Sequence, residues 1–280
     1  MKIGQLRENG KVLAAVFRGN YARPIRNYSL LDLIDKAAAE NVELAEMAMN
    51  LAGKELEGIK PIIPIYPREV WACGCAYQVS AEWRDAEHGA REGFYAAVYR
   101  NQRPELFFKG TARVCTGPGD YIGIRSDSDF TAPEAELAVV MGSNGKVLGY
   151  TIANDVSAWD IERENPLYLP QSKMFDGCAA LGPVMVTADE IKDPYNLEIG
   201  CKIERHGRII FEGKSTTQKL ARKIEEMVSF LRRSNDIPVG SVLMTGTGVI
   251  VPAEAALKPE DKVTIEIPGI GILSNIAKKV

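Results

Sequence analysis

Residues 133–140 read PEAELAVV, and this short segment determines the architecture predicted for the chain. The four residues after Glu136 are apolar, which predicts a strand entering a hydrophobic core. In an extended segment, residues i and i+2 point to the same side, so Glu134 and Glu136 are expected on one face, about 7 Å apart. Two like charges beside a core are costly unless a cation or basic groups compensate them. The segment therefore predicts a cation site where a core strand begins.

A third carboxylate, Asp155, follows in the segment 149–157, GYTIANDVS. Between the two segments, residues 143–145 read Ser-Asn-Gly, a turn sequence that predicts a chain reversal bringing Asp155 toward the glutamates. Three carboxylates without a thiol or an imidazole favour Mg²⁺, or alternatively Mn²⁺, over zinc. Spacing alone leaves an alternative, since Glu-x-Glu pairs are also common on exposed strands.

Short β-branched or apolar segments dominate the chain after residue 67. Strands are predicted at 70–74, 106–109, 136–141, 147–152, 184–187, 197–204, 209–212, 242–245, 263–267 and 272–277. Two helices are predicted at 78–98 and 218–232, the second capped by Thr216 or Thr217. Many short strands with few helices predict an α+β, mainly β protein built as a mixed β-sandwich or roll.

The first 66 residues have a different pattern. An Asn-Gly turn at residues 9–10 indicates a hairpin, and Ser29 is a suitable helix N-cap. The predicted elements are strands at 2–6 and 12–18 and helices at 30–40 and 42–56. Three prolines in the segment 60–67, KPIIPIYP, cannot continue a helix or occupy a central strand. We therefore predict a small N-terminal α+β domain at 1–66 and a strand-rich β-roll domain at 67–280 that contains the predicted cation site.

Composition argues against several classes of function, among them nucleic-acid binding, membrane binding and histidine-based catalysis. A net charge of −3 and a pI near 5.7 argue against a general nucleic-acid-binding protein. The sequence shows no apolar stretch of membrane-spanning length and no apolar run at its start, which predicts a cytoplasmic protein that does not bind membranes. His88 and His206 are the only histidines, leaving little material for a multi-histidine metal site or a Ser-His-Asp triad. The odd number of cysteines, 5, predicts reduced, buried thiols.

Several motifs, in order along the chain, resemble those of the fumarylacetoacetate hydrolase superfamily. They lie at 126–129, 134–140, 149–158, 164–173 (ENPLYLPQSK) and 243–248 (LMTGTG). The resemblance implies that Glu134, Glu136 and Asp155 bind Mg²⁺. It also implies a β-roll behind a variable N-terminal domain, assembled as a homo-oligomer, a dimer or a tetramer.

The same resemblance implies how a 2-oxo acid substrate is bound. Lys173 would act as a base, or as an electrostatic partner, at the carbon next to the ketone. Gly246 and Thr247 would lie near the substrate carboxylate, with further contacts from Tyr77 and Gln171. An ordinary surface lysine and a purely structural glycine turn are the alternatives for Lys173 and Gly246.

Hydrolases of this superfamily resemble one another in a segment Gly-x-Asn-Tyr-x-x-His whose histidine activates water. Here residues 74–80 read GCAYQVS, and Ser80 stands in place of that histidine, although His88 follows nearby. The segments 103–109 and 165–173 resemble instead the branch that dehydrates 2-keto-3-deoxy sugar acids of the 2-keto-3-deoxy-D-arabinonate type. That resemblance implies 2,5-dioxopentanoate as product, with Glu105 protonating the leaving hydroxyl group unless it is a salt-bridged surface residue.

Two other functions stay open at this point. A hydrolase or decarboxylase of an acylpyruvate or another 2-oxo acid would use the same metal site and lysine. A non-catalytic, metal-stabilised binding protein is less consistent with three retained, mutually repelling carboxylates. Trp159 departs from the family pattern, which commonly has arginine there, and this predicts loss of an ion pair with Asp160 or Glu162.

Overall fold

The computed structural model describes residues 1–87 and 93–280. Its strands are β1 (Lys2–Glu8), β2 (Lys11–Arg18), β3 (Tyr21–Ile25), β4 (Leu56–Glu57), β5 (Val70–Gly74), β6 (Glu105–Gly110), β7 (Cys115–Thr116), β8 (Tyr121–Ile124), β9 (Thr131–Ala132), β10 (Ala135–Met141), β11 (Val147–Asp155), β12 (Ser157–Ala158), β13 (Ala179–Thr187), β14 (Glu198–Arg205), β15 (Arg208–Thr216), β16 (Val242–Thr247), β17 (Lys262–Ile267) and β18 (Gly271–Lys279). Its α-helices are α1 (Leu30–Glu40), α2 (Leu44–Leu51), α3 (Gln78–Glu87), α4 (Phe94–Arg100), α5 (Trp159–Glu164), α6 (Leu169–Lys173) and α7 (Ile224–Leu231).

Most strands belong to two mixed sheets. The larger sheet has the order β4-β3-β2-β1-β13-β11-β10-β16-β5-β6, with β7 paired to β13. The smaller has the order β15-β14-β17-β18-β8, and the two sheets pack through β13 against β18 and β10 against β14. Their facing side chains form one core. The predicted mixed β-sandwich roll is confirmed.

The N-terminal strands extend the larger sheet. β1 joins β13 through a short pairing, Lys2 with Val186 and Ile3 with Met185. The predicted cap of α1 is present as a capping box, in which Ser29 and Asp32 each accept a hydrogen bond from the other's backbone N–H. The division at residue 66 into two domains stays a prediction.

Two predicted helices near the site are wrong in extent. The helix predicted at 218–232 begins only at Ile224, the first residue of α7. Before it, residues 217–219 form a 3₁₀ turn, and the N–H of Ala221 donates to the carbonyl of Ala76 at 2.9 Å instead of to a carbonyl within a helix. Thr216 caps a short 3₁₀ turn instead of the helix. The helix predicted at 78–98 is represented by α3 and α4, and residues 88–92 between them, including His88, lie outside the described residues.

The β10–β11 hairpin forms the centre of the larger sheet. Every residue of β10 is buried, as its apolar sequence predicts. Ala135 pairs with Asn154, and the N–H of Asp155 donates to the carbonyl of Glu134 at 3.0 Å. The predicted chain reversal is therefore confirmed, and it brings the third carboxylate beside the first two. Within 1–87 and 93–280, no helix combines the length and apolarity needed to cross a membrane.

Candidate metal and active site

The three predicted carboxylates meet in the interior of the protein. Glu134, Glu136 and Asp155 are 3%, 1% and 1% exposed, and one oxygen atom of each lies within 4.8 Å of the other two. Oxygen ligands at this spacing suit a hard divalent cation. The alternative of an exposed Glu-x-Glu pair is excluded by this burial.

Two buried lysines share the negative charge of the triad. Lys173 Nζ lies 2.8 Å from Glu134 Oε1, 3.3 Å from Asp155 Oδ2 and 2.6 Å from the hydroxyl of Ser157. Lys109 Nζ forms an ion pair with Asp155 Oδ1 and donates to the carbonyl of Val156 at 2.9 Å. The ion pairs of these two lysines involve Glu134 and Asp155 and not Glu136, whose charge a divalent cation would offset.

Glu136 supplies the clearest physical indication of a cation. Its Oε2 accepts a hydrogen bond from the N–H of Gly246 at 2.7 Å. Burial, and then the charges of Asp155 and Glu134, hold the Glu136 pKa well above its ordinary value. A bound divalent cation would remove the reason for that upward shift, so the residues fit Mg²⁺ or Mn²⁺.

Lys173 is a buried lysine that keeps its charge. Burial alone would lower its pKa, but the charges of Asp155 and Glu134 outweigh burial and leave the Lys173 pKa above its ordinary value. Its ammonium group also lies 5.5 Å from the ring centroid of Phe107 on β6. The lysine is 1% exposed, which excludes the ordinary surface residue considered as an alternative.

β6 carries the second predicted catalytic residue to the same region. Glu105, Phe107 and Lys109 alternate along this strand and so point to one face. The Glu105 carboxyl lies against Gly74 and interacts with the thiol of Cys75. Burial raises the pKa of Glu105 above its ordinary value, although the nearby charge of Arg84 opposes this. A carboxyl group with a raised pKa is suited to donate a proton near neutral pH.

Arg84 lies between the metal triad and the region around Glu105, and it forms ion pairs with Glu134 and Glu162. Its Nε lies 3.2 Å from Glu162 Oε1, and its Nη2 lies 3.7 Å from Glu134 Oε1. Nη1 donates to the hydroxyl of Ser80 at 3.0 Å. The position of the water-activating histidine therefore holds a serine bonded to a buried arginine. Arg84 also packs 4.8 Å from the ring of Trp159. Residue 159 itself cannot form the ion pair, as predicted, and the cation beside Glu162 is Arg84.

Gly74 leaves the space that Glu105 occupies, which gives a first prediction. A Cβ atom at this position would lie 2.3 Å from Glu105 Oε2, and the backbone there is not left-handed. We expect Gly74→Ala to displace the carboxyl and reduce kcat about 100-fold, since a displacement of about 1 Å can have that effect. Steady-state kinetics and thermal unfolding measure the two properties separately.

Gly200→Ala is the matched control for this prediction. A Cβ atom on Gly200, in β14, would meet only a backbone oxygen at 3.9 Å. Both variants should unfold within a few degrees of the wild type, and only Gly74→Ala should lose turnover. Full kcat in Gly74→Ala would show that the position of Glu105 is not critical.

The four residues predicted to contact the substrate, Tyr77, Gln171, Gly246 and Thr247, differ in burial and in hydrogen bonding. Tyr77 is 0% exposed, and its hydroxyl has no hydrogen-bond partner within the described ranges, so it is available to a ligand. Thr247 Oγ1 already donates to the carbonyl of Ala135 at 3.0 Å, and the Gly246 N–H is bonded to Glu136. Gln171 has an exposed side chain. Substrate contacts by these four residues stay predictions.

A cavity of about 400 Å³ reaches the catalytic region from the surface. Its walls come mainly from α4 and from apolar residues before Lys173, and its polar lining residues are Asn101, Arg103, Glu105 and Glu162. α4 is fixed at both ends. The Asp85 carboxylate accepts from the N–H groups of Tyr95 and Ala96 at 2.8 and 2.9 Å, and Arg222 donates to the carbonyls of Val98 and Asn101.

Sequence reasoning missed Lys109, Arg84 and Glu162 as site residues. Lys109 had a usable signal, since it alternates with Glu105 at the end of an apolar strand. Arg84 and Glu162 belong to charged helical segments whose pattern is typical of solvent-exposed faces, yet they are 3% and 2% exposed. Their burial follows from tertiary packing, which the local sequence does not specify.

Comparison of the sequence with known proteins identifies a family and two similar dehydratases. The family model described as fumarylacetoacetate (FAA) hydrolase C-terminal matches residues 69–277. The chain is 51% identical over 228 residues to the 2-dehydro-3-deoxy-D-arabinonate dehydratase of Saccharolobus solfataricus, covering 80% of this chain and 76% of that protein. It is 40% identical over 242 residues to the probable 2-keto-3-deoxyxylonate dehydratase of Haloferax volcanii, covering 86% and 82%.

A solved structure of a dehydratase matches this protein over the whole chain. That structure is 2-keto-3-deoxy-D-arabinonate dehydratase complexed with magnesium and 2,5-dioxopentanoate. It matches with a TM-score of 0.87 and 41% identity, covering 100% of this chain and 99% of that one. The family resemblance predicted from the motifs is therefore confirmed, and the chain belongs to the fumarylacetoacetate hydrolase family.

Proposed function

We propose that this protein is a Mg²⁺-dependent dehydratase of a 2-keto-3-deoxy sugar acid, of the 2-keto-3-deoxy-D-arabinonate type, and that it produces 2,5-dioxopentanoate. The observation that carries the proposal is the presence of a buried lysine, and of a glutamate that feels its charge, next to one carboxylate triad. Lys173 contacts the triad at 2.8 Å, and Glu105 has a raised pKa at the adjoining cavity. The names of the similar dehydratases support the same reaction.

Glu134, Glu136 and Asp155 would hold the metal. When bound, Mg²⁺ supplies Lewis-acid polarisation of the 2-oxo group and offsets the charges that keep the Lys173 pKa high. Lys173, once it has released its own proton to water, takes the proton from carbon 3 of the substrate. Glu105 donates its proton to the hydroxyl group leaving carbon 4, so one water molecule is released.

The product of this elimination is an unsaturated 2-oxo acid with a hydroxyl group on carbon 5. Transfer of a proton from carbon 5 to carbon 3, followed by tautomerisation of the enol, gives the aldehyde of 2,5-dioxopentanoate. Carbon 5 is oxidised and carbon 4 is reduced within the same molecule, so no external oxidant is required.

Expulsion of water is favoured over its activation by the residue at position 80. The hydroxyl of Ser80 accepts a hydrogen bond from Arg84, and a serine in this setting has no basic group that could deprotonate water. His88, the other histidine considered, lies outside the described residues. Hydrolysis of an acylpyruvate therefore has less support than dehydration. A homo-oligomeric assembly and a cytoplasmic location stay predictions.

Turnover is the direct test of the function. Purified protein with Mg²⁺ should convert 2-keto-3-deoxy-D-arabinonate to 2,5-dioxopentanoate, and chelation of the metal should stop the reaction. Consumption of acylpyruvates or oxaloacetate, without dehydration of the sugar acid, would assign the protein to the hydrolase or decarboxylase alternative instead.

Ligand binding gives a second prediction that does not depend on turnover. Pyruvate or oxalate at about 100 times its Kd should stabilise the folded state by about 2.7 kcal/mol. For a protein of this size, that corresponds to an increase in Tm of about 5 °C. We expect the increase with Mg²⁺ and none with chelator. Equal stabilisation under both conditions would contradict metal-assisted binding.

A further inference from the structure

Asp155 is a metal-site carboxylate whose backbone is fixed on both sides. Its N–H donates to the carbonyl of Glu134 at 3.0 Å, and its own carbonyl accepts a hydrogen bond from the hydroxyl of Ser157 at 2.8 Å. The residue is the last of β11 and is buried. With the backbone held in this way, the direction of the carboxylate is set by the groups that contact its two oxygen atoms.

Lys109 makes the closer of the two lysine contacts with this carboxylate. Its ammonium group forms an ion pair with Asp155 Oδ1, whereas Lys173 Nζ lies 3.3 Å from Oδ2. Lys109 is fully buried, and its hydrogen bond to the carbonyl of Val156 at 2.9 Å ties the ammonium group to the residue next to Asp155. Oδ1 therefore faces a positive charge that is held in place.

The other two carboxylates of the triad are contacted in a similar way. Glu134 Oε1 accepts a hydrogen bond from Lys173 at 2.8 Å, and Glu136 Oε2 accepts one from the N–H of Gly246 at 2.7 Å. In each of the three carboxylates, a protein donor thus engages one oxygen atom closely. Ligands that each offer one oxygen suit Mg²⁺, which requires a nearly octahedral set, whereas Ca²⁺ takes about 6–8 oxygen ligands and often both oxygens of one carboxylate.

We propose that Lys109 is a positioning residue that restricts Asp155 to binding a cation through one oxygen atom, and that it thereby makes the site select Mg²⁺ over Ca²⁺. A cation bound to both oxygens of Asp155 would have to lie beside the ammonium group of Lys109, at a buried position where like charges repel strongly. The inference rests on the metal site of the proposed function, to which it adds the residue that sets the choice of metal.

Calorimetric titration with each metal ion alone measures this choice without turnover. The wild type should bind Mg²⁺ at least about 10-fold more tightly than Ca²⁺, since the number and rigidity of the oxygen ligands decide between the two ions. Lys109→Met frees Oδ1, so the ratio of the Kd for Ca²⁺ to the Kd for Mg²⁺ should fall at least about 10-fold. Loss of the lysine charge strengthens the binding of both ions, and the ratio cancels that effect.

Infrared difference spectra give a signature that a merely structural lysine would not change. The carboxylate stretching bands differ between coordination through one oxygen atom and coordination through both. Ca²⁺ added to the wild type should give the one-oxygen bands alone. Ca²⁺ added to Lys109→Met should give two-oxygen bands as well, because the ammonium group no longer faces Oδ1 of Asp155.

Lys2→Met is the matched control for removing a lysine. Lys2 is also a strand lysine that donates to a backbone carbonyl, but its partner is Ile270 at 3.0 Å rather than a residue next to a metal ligand. Its replacement should leave both Kd values unchanged. Lys109→Arg keeps a positive charge and N–H donors at the position, so it should keep the preference for Mg²⁺.

Three results would overturn the inference. They are no tighter binding of Mg²⁺ than of Ca²⁺ by the wild type, the same Kd ratio in Lys109→Met as in the wild type, and an equal change of the ratio in Lys2→Met. If Lys109→Met does not fold, the Kd ratios and infrared spectra of the wild type and Lys109→Arg still decide. Failure of the proposed function has a separate signature, in which the metal preference is present but 2-keto-3-deoxy-D-arabinonate is not dehydrated.

Discussion

Glu105→Gln should reduce the kcat for dehydration about 1,000-fold and leave the Mg²⁺-dependent binding of pyruvate unchanged. Glutamine has the shape of glutamate but no proton that it can transfer to a leaving hydroxyl group, and general acid catalysis contributes about 10²- to 10⁴-fold. Pyruvate contacts the metal end of the site and has no leaving group at carbon 4. Single-turnover kinetics would measure the loss, and thermal stabilisation by pyruvate would verify the fold.

The pH dependence of kcat follows from the direction of the Glu105 pKa. Burial raises this pKa above the ordinary value, so the proton is present below the raised pKa and lost as pH rises through it. Turnover of the wild type should therefore decrease on the alkaline side of the raised pKa. Glu105→Gln should lack this decrease, because its residual activity no longer depends on that proton.

Glu82→Gln is the matched control for the effect of removing a carboxyl group. Glu82 lies on α3 close to the same region, but it is exposed and is bonded to Gln78. Its replacement should leave kcat within about twofold. Turnover of Glu105→Gln at the wild-type rate would show that another group donates the proton and that Glu105 has a structural role.

The metal triad could be predicted from the sequence because its geometry is local. The alternation of Glu134 and Glu136 in an apolar strand fixes their common face, and the turn at residues 143–145 fixes the return of Asp155. Both features, the common face of the two glutamates and the return of the aspartate, follow from strand periodicity and hairpin pairing, which can be read from the sequence. Spacing alone left an exposed Glu-x-Glu pair open as an alternative, and the family resemblance favoured the metal site over it.

The outer part of the site could not be predicted in the same way. The segment 218–232 has a helical pattern, but Ala221 is bonded to Ala76, and this tertiary contact prevails over the local preference for helix. Likewise, Arg84 on α3 and Glu162 on α5 are both buried, and their charged groups lie 3.2 Å apart beside the ring contact of Trp83 with Trp159. Long-range charge pairing of this kind leaves no periodic signal in a single sequence.

Lys173→Met should have the other large effect, on both stability and turnover. Lys173 holds Glu134 at 2.8 Å and Asp155 at 3.3 Å in a buried site. Removing one partner of a buried charge pair costs about 3–5 kcal/mol of folding free energy, because the other charges remain without compensation. In chelator, the variant should therefore unfold at a clearly lower temperature than the wild type. Lys146→Met, which removes an exposed ion pair with Glu43, should not.

Mg²⁺ then distinguishes the two roles considered for Lys173. The cation would replace the missing positive charge, so we expect it to raise the Tm of Lys173→Met by more than it raises that of the wild type. If the lysine is only an electrostatic partner, saturating Mg²⁺ should restore turnover together with stability. If Lys173 is the base that takes the proton from carbon 3, stability should return while kcat stays about 1,000-fold low. We expect the second result, because a metal ion can neutralise the carboxylates but cannot accept that proton.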